Sequence, residues 1–193
     1  MNSKILVRIA FWSQGKSQSL VKIVNRKVLI EELAKAIPDA SIGLGKDFFE
    51  AISRLTPIVN VDLLIQKVFH GKINTLLAWR SDDLYLGWHL PGGVLRFKET
   101  LDARVLKVAK EELLSSIASI KGPLEINEIF NENRDIRGHF LSFLYSVELD
   151  SYPEEMDSFS QNKIPSPGTL RWFVNAPSDL LKQHALYGKY FKK

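Results

Sequence analysis

Runs of apolar residues along the chain change period several times, and each change predicts an element. KILVRIAFW from Lys4 and SLVKIV from Ser19 are rich in β-branched and apolar residues and predict one or two strands, joined by the turn-like SQGKSQ. Residues 26–37 (RKVLIEELAKAI) have helical spacing and stop at Pro38, and KDFFEAISRL predicts a second short helix beyond the Gly43/Gly45 loop. Thr56-Pro57 breaks that helix and opens the strand IVNVDLLIQKVF, which His70-Gly71-Lys72 turns back into INTLLAWR as a hairpin. After the polar loop SDDLYLG the pattern predicts a strand at 88–90, a Pro91-Gly92-Gly93 turn, a strand at 94–97 and a helix over 99–116. LEINEIFNENR and GHFLSFLYSVEL predict two strands flanking a turn at 135–138. A loop rich in acids, Ser and Pro covers 150–168, LRWFV predicts a further strand, and a last helix starts at Ser178 with a basic tail suited to its dipole.

That order, mostly strands with one central and one terminal helix, predicts an α/β fold: a mixed central sheet between helices, with an N-terminal extension. The expected division is residues 1–50 as a strand and helix appendage and 51–193 as the main domain. The appendage suits a dimerisation element, which prompts a homodimer hypothesis.

Composition narrows the classes. At 193 residues and 45% hydrophobic, the chain can bury an ample core. No window approaches the roughly 18 uninterrupted apolar residues of a membrane span, and the opening has no signal-peptide pattern, so a soluble cytoplasmic protein is expected. The absence of cysteine excludes disulfides, thiolate catalysis and zinc-thiolate sites. The net charge is +4, and Lys4, Arg8, Lys16, Lys22, Arg26 and Lys27 all precede the first acid, Glu31. No aromatic-interleaved motif accompanies this basic arm, so it reads as a solvated face rather than a nucleic-acid surface.

The chemistry concentrates in GGVLRFKETLDARVLKVAKEELLS, residues 92–115. A Gly-Gly turn exposes backbone groups, Glu99 follows, and the far end of the helix carries adjacent Glu111 and Glu112. Such an arrangement presents a hard divalent cation to a diphosphate. On a helical wheel Leu101, Val105, Val108 and Ala109 form one stripe, with Glu112 at its centre and Glu111 on its edge. A carboxylate there needs an ion pair or a metal, because unpaired it costs several kcal/mol. Arg104 and Lys107 precede Glu111 on the neighbouring face, where they can hold it.

This segment resembles the Nudix box: Gly, five residues, Glu, seven residues, Arg-Glu-aliphatic, one residue, Glu-Glu, one residue, Gly-aliphatic. Gly93, Glu99, Ala109, Glu111 and Glu112 fall at the matching places, and Trp88-His89-Leu90-Pro91-Gly92 matches the usual lead-in. Lys107 replaces the Arg, Val108 the Glu beside it, and Leu114 the late Gly. Lysine keeps the charge but loses the planar fork, and the missing Glu implies one divalent ion rather than several. A similarly eroded box belongs to the GDP-mannose mannosyl hydrolase group. The resemblance to it extends to Thr56-Pro57-Ile58-Val59-Asn60-Val61-Asp62, to Arg80, to FKETL and to Arg171-Trp172.

The resemblance implies a Nudix fold and a Mg²⁺-dependent hydrolase, with Mn²⁺ as substitute, cleaving a nucleoside diphosphate linked to a second moiety. A nucleotide sugar such as GDP-mannose is the favoured substrate. The alternatives are a pyrophosphatase on nucleoside triphosphates or dinucleotides, and a non-catalytic nucleotide-binding domain. By the same resemblance, the Gly93 carbonyl and Glu112 ligate the metal with Glu111 beside them, and Glu99 braces the loop-helix junction or the metal's waters. Asp62 and Arg80 contact the nucleotide or its diphosphate. The Arg that follows the double Gly in that group is Val94 here, and Arg96 is the candidate replacement. His139 matches a phosphate-contacting His. The late-loop His that serves as base has no counterpart; Glu154, Glu155 and Asp157 stand there, with Glu155 the candidate to take a proton from the attacking water. His70, His89 and His184 read as structural, and Trp79, Trp88 and Phe97 as core. Neither a Ser-His-Asp signature nor a P-loop is present.

Overall fold

The computed structural model describes residues 4–10, 19–37, 39–153 and 164–191. The expected turn at 13–18 and the candidates Glu154, Glu155 and Asp157 lie outside those residues. The chain divides into two units, Met1–Leu44 and Gly45–Lys193. In the first, β1 (Lys4–Ala10) and β2 (Ser19–Asn25) pair antiparallel with Lys4 opposite Asn25. Helix α1 (Arg26–Ala36) follows at once because the Asn25 side chain accepts the Lys27 N–H at 2.9 Å, a capping bond for an otherwise orphaned donor. The second unit opens with α2 (Gly45–Ile52), which spans the expected boundary at 50/51.

Among the described residues, the second unit holds two four-stranded sheets. One is mixed: β7 (Gly92–Val94), β3 (Ile58–Leu64), β9 (His139–Leu149) and β8 (Ile117–Phe130) lie side by side, with β3 parallel to β9 and the other pairs antiparallel. The other is antiparallel: β10 (Leu170–Phe173), β5 (Lys72–Ser81) and β4 (Gln66–Phe69), with β6 (Leu86–His89) also on β5. The single strand expected from IVNVDLLIQKVF is two, because at Ile65 the chain leaves the first sheet for the second; the Ile65 carbonyl accepts the Leu76 N–H at 2.9 Å.

Alternation along β3 positions the site. Val61, Leu63 and Ile65 enter one core cluster with Val105, Val108 and Ala109 of α3 (Leu101–Glu112), while Leu64 enters a second cluster with Trp79, Trp88 and Tyr187. Asp62 shares parity with Leu64 and is buried. Helix α3 starts where Thr100 accepts the Ala103 N–H at 3.2 Å, and it ends before Leu114, whose φ of 52° lies in the left-handed region.

Other expectations need correction. Gly92-Gly93 is a strand rather than a turn, paired to β3 with Asp62 opposite Gly92. Residues 95–97 do not continue that strand, although the Leu95 N–H still reaches the Val59 carbonyl at 2.9 Å. Ser178 opens no α-helix. The backbone there is held against β6, with Trp88 N–H on the Asp179 carbonyl (3.0 Å) and Leu181 N–H on the Trp88 carbonyl (2.8 Å), so a 3-10 segment forms only over Lys182–Phe191. Gly87 permits this approach, since a Cβ at its position would sit 2.3 Å from the Asp179 carbonyl oxygen. Among the described residues no helix is long and apolar enough to cross a membrane.

Candidate active site

A cavity of about 650 Å³ opens within the second unit, lined among others by Asp62, Arg80, Gly92, Glu111, Glu112 and His184. Three elements deliver the acids and the cation: β3 brings Asp62, the end of β5 brings Arg80, and the last turn of α3 brings Glu111 and Glu112.

Glu99 is the brace beneath that helix. It accepts from Arg104 Nε at 2.8 Å, Arg104 Nη2 at 3.0 Å and the Arg96 backbone N–H at 3.0 Å, and Lys107 Nζ lies 3.0 Å away. Burial pushes its carboxyl up, but the bonds from Arg104, Arg96 and Lys107 outweigh that and hold it down at about 2. Its oxygens are thus taken by fixed donors. Lys107, expected to steady Glu111, is spent on Glu99, and Arg104 reaches Glu111 only at 3.9 Å. Arg104 itself belongs to the buried stripe of α3.

The double Gly is required by contact. A Cβ on Gly92 would lie 2.6 Å from both Asp62 Oδ1 and the Val61 carbonyl oxygen, and one on Gly93 would lie 2.9 Å from Val108 Cγ2. Leu63 N–H donates to the Pro91 carbonyl and Leu95 N–H to the Val59 carbonyl, on either side of the Val61/Gly93 pair. Antiparallel alternation then makes Val61 and Gly93 the hydrogen-bonded pair and turns the backbone of Gly92 away from β3. The Gly93 carbonyl, expected as a metal ligand, is therefore occupied in the ladder; the carbonyl left free is that of Gly92. The Gly92 N–H already lies 3.4 Å from Glu112 Oε2.

Glu112 is open to the cavity's solvent rather than central to a core stripe, yet protein walls it on several sides. Desolvation pushes its carboxyl up to about 7, against the Gly92 N–H and Arg80, with Asp62 and Glu111 adding to the rise. Glu111 is 53% exposed in its side chain. Among the described residues no three His, Asp or Glu side chains gather at metal-binding spacing. Two adjacent carboxylates and a free carbonyl suit Mg²⁺, which is commonly held by one or two carboxylates and otherwise by waters and substrate phosphates.

Beside Gly92, Asp62 is 3% exposed and accepts from the Ser142 hydroxyl, Tyr187 Oη (2.7 Å) and Asn60 Nδ2 (3.1 Å). Burial raises its carboxyl despite those bonds. Arg80 pairs with Asp82 at 2.7 Å and lies 4.5 Å over the Tyr85 ring. Two histidines that sequence reasoning read as structural, His89 and His184, also line this cavity, with ring centroids 5.7 Å apart. Both hang on the backbone of Leu90, whose carbonyl faces His89 Nδ1 at 2.6 Å and whose N–H faces His184 Nδ1 at 3.3 Å. Burial and His184 lower the pKa of His89 to about 4, and burial and Arg80 lower that of His184 to about 3.

The other candidates lie elsewhere. Arg96 contributes its backbone N–H to Glu99 and does not line the cavity. His139 lies 3.0 Å from Glu128 and lines a separate hollow with Arg54 and Arg134. Glu155 is outside the described residues.

No family model matches the chain. The low-salt glycan biosynthesis protein Agl8 of Haloferax volcanii is 35% identical over 127 residues, spanning 63% of this chain and 78% of that protein. A MutT Nudix hydrolase of Burkholderia pseudomallei superposes with a TM-score of 0.53 at 20% identity, covering 69% of this chain and 97% of that one. The Nudix domain of Shewanella oneidensis NrtR, solved with ADP ribose, aligns at a TM-score of 0.45 with 25% identity over 61% of this chain and 73% of that one.

Proposed function

Because this chain belongs to the family of the Haloferax volcanii protein Agl8 and has the Nudix hydrolase fold, we propose that it is a Mg²⁺-dependent hydrolase of a nucleoside diphosphate linked to a second moiety, with a nucleotide sugar such as GDP-mannose as favoured substrate. The observation that carries this reading is the convergence of Glu111, Glu112 and the free edge of Gly92 on one cavity with Asp62 and Arg80. The name of Agl8 places that relative in glycan biosynthesis, which supports a sugar-linked substrate.

Each group has a chemical task. Glu111, Glu112 and the Gly92 carbonyl would hold Mg²⁺, or Mn²⁺ in its place. The cation would neutralise diphosphate charge and stabilise the leaving group. Glu99, saturated by its own donors, keeps the end of β7 and the start of α3 in register, so the two acids stay aimed at the cavity. Arg80 supplies a fork suited to phosphate oxygens. Asp62 and Glu155 are the carboxylates proposed for substrate contact and for accepting the water's proton, with Arg96 and His139 as outlying substrate contacts. The basic first unit is proposed as a homodimer contact.

The test is turnover of a panel of nucleotide sugars with and without Mg²⁺, with Glu112→Gln as control. Metal-dependent product from the parent and almost none from the variant supports the hydrolase. Tight nucleotide-sugar binding without product from the parent overturns it. Hydrolysis in ¹⁸O-labelled water then locates the bond: label in the sugar marks attack at carbon, label in a phosphate marks attack at phosphorus.

A further inference from the structure

Leu90 is 1% exposed, so its peptide groups are fixed, and each engages one ring of the histidine pair. A carbonyl only accepts, so His89 Nδ1 must carry the hydrogen, and because burial and the neighbouring His184 keep this ring neutral, Nε2 is left as a bare lone pair. A backbone N–H only donates, so His184 Nδ1 must be unprotonated, which puts the hydrogen on Nε2. One buried residue thereby sets two opposite tautomers. Neither Nε2 has a hydrogen-bond partner among the described residues, and both rings face the cavity that holds the acids.

An acceptor and a donor side by side, both on neutral rings, select their ligand chemically. The lone pair of His89 repels phosphate oxygens, which the guanidinium of Arg80, on the neighbouring strand, draws instead. Ile129 and Phe140, contributed by β8 and β9, offer a flat apolar ring a surface in the same cavity. A group that can donate and accept at adjacent positions, as a pair of sugar hydroxyls does, satisfies both nitrogens at once.

We propose that His89 and His184 form a subsite for two neighbouring hydroxyls of the sugar moiety, with His89 Nε2 accepting and His184 Nε2–H donating. This rests on the nucleotide-sugar reading and specifies which part of the cavity takes the sugar. Tyr187 links the subsite to Asp62: its ring lies 5.4 Å from that of His184 and its hydroxyl donates to the carboxylate. The sugar contact and the Asp62 wall are thus one packed unit.

The experiment is nitrogen NMR of the full-length chain carrying ¹⁵N-histidine. The chain has four histidines, so His89→Gln and His184→Gln suffice to identify the two signals. In the free protein at neutral pH, His89 should appear as the Nδ1–H tautomer and His184 as the Nε2–H tautomer; the opposite assignment, or a cationic ring, overturns the proposal. GDP-mannose, UDP-glucose and ADP-ribose are then added without metal, each compared with its parent diphosphate, GDP, UDP or ADP. At least one sugar-bearing ligand should move both Nε2 signals while its parent diphosphate leaves them in place. Equal shifts with the parent diphosphate would mean a base or phosphate subsite, and unmoved signals with all three would leave no sugar subsite; either result overturns the proposal. As a second readout, His89→Leu and His184→Leu should each weaken the effective nucleotide sugar about tenfold and its parent diphosphate less than about twofold. Turnover with Mg²⁺ in a parallel sample separates the two readings. Hydrolysis with unmoved rings defeats only the subsite, and moved rings without hydrolysis defeat only the hydrolase.

Discussion

Arg104 grips Glu99 with both prongs, Nε to Oε2 at 2.8 Å and Nη2 to Oε1 at 3.0 Å, between side chains that are 5% and 6% exposed. Such a pair is costly to break because the survivor stays buried and charged. Arg104→Met should therefore destabilise the fold by about 3 kcal/mol in urea titrations. Arg104→Lys should cost less, since it keeps the charge and loses only the fork.

The same pair sets an acid limit. The Glu99 carboxyl is held at about 2 against an ordinary 4.5, so its contribution to stability is complete above about pH 4.5 and is lost as pH falls through about 2. Melting curves across that window should show the parent losing stability faster than Glu99→Gln. Parallel curves for the two proteins would contradict this.

Glu112 has the opposite sign. Its carboxyl is raised from 4.5 to about 7, so without metal the parent should lose stability relative to Glu112→Gln as pH climbs through about 7, with the gap closed below about pH 4.5. Adding Mg²⁺ at pH 8 should raise the melting temperature of the parent and leave that of the variant unmoved. A variant that melts below the metal-free parent at pH 8 would refute the desolvation account.

Leu114 occupies the place where the box has Gly, and its φ of 52°, in a residue that is 87% exposed, explains why Gly belongs there. The leucine bears left-handed strain and contributes little packing in return. Leu114→Gly should stabilise by about 0.5–1 kcal/mol, measured by chemical unfolding.

What was legible in the chain follows from contiguity. Glu99, Glu111 and Glu112 sit in one segment at fixed spacing, so the acidic end of α3 was readable, and β-branched runs marked the sites of most strands. Two adjacent glycines usually make a turn, so pattern alone assigns Gly92-Gly93 to one; in the fold they answer to close contact with Asp62, Val61 and Val108. Pattern alone reads His89 and His184 as structural, because what makes them a pair is the Leu90 backbone and the pairing of Trp88 with residues 179–181, neither visible locally. A helical wheel pairs Arg104 with Glu111 because it shows neighbours along the helix and not the buried Glu99 beneath it.

The strongest contrast between pattern and packing lies at Val108. The box has Glu at this position, and restoring it would seem to add a metal ligand. In this fold Val108 is 2% exposed, sits in the core cluster with Val61, Leu63 and Val105, and occupies the space against Gly93 where even one Cβ on the glycine would meet it at 2.9 Å. The buried cation one helical turn before it is Arg104, whose Nε and Nη2 are already on Glu99, and the adjacent Lys107 also lies 3.0 Å from Glu99. A carboxylate at 108 would therefore enter an apolar cluster whose neighbouring cations are already committed to Glu99, at a cost of several kcal/mol. Val108→Glu should lower stability by about 3 kcal/mol or more and reduce activity rather than raise it. Val108→Gln should destabilise similarly at every pH, whereas the Glu variant should recover part of its stability as pH falls and the carboxyl protonates. A Val108→Glu protein as stable as the parent, with tighter Mg²⁺ binding, would show that the site can accept a further ligand and that the packing against Gly93 is not what excludes it.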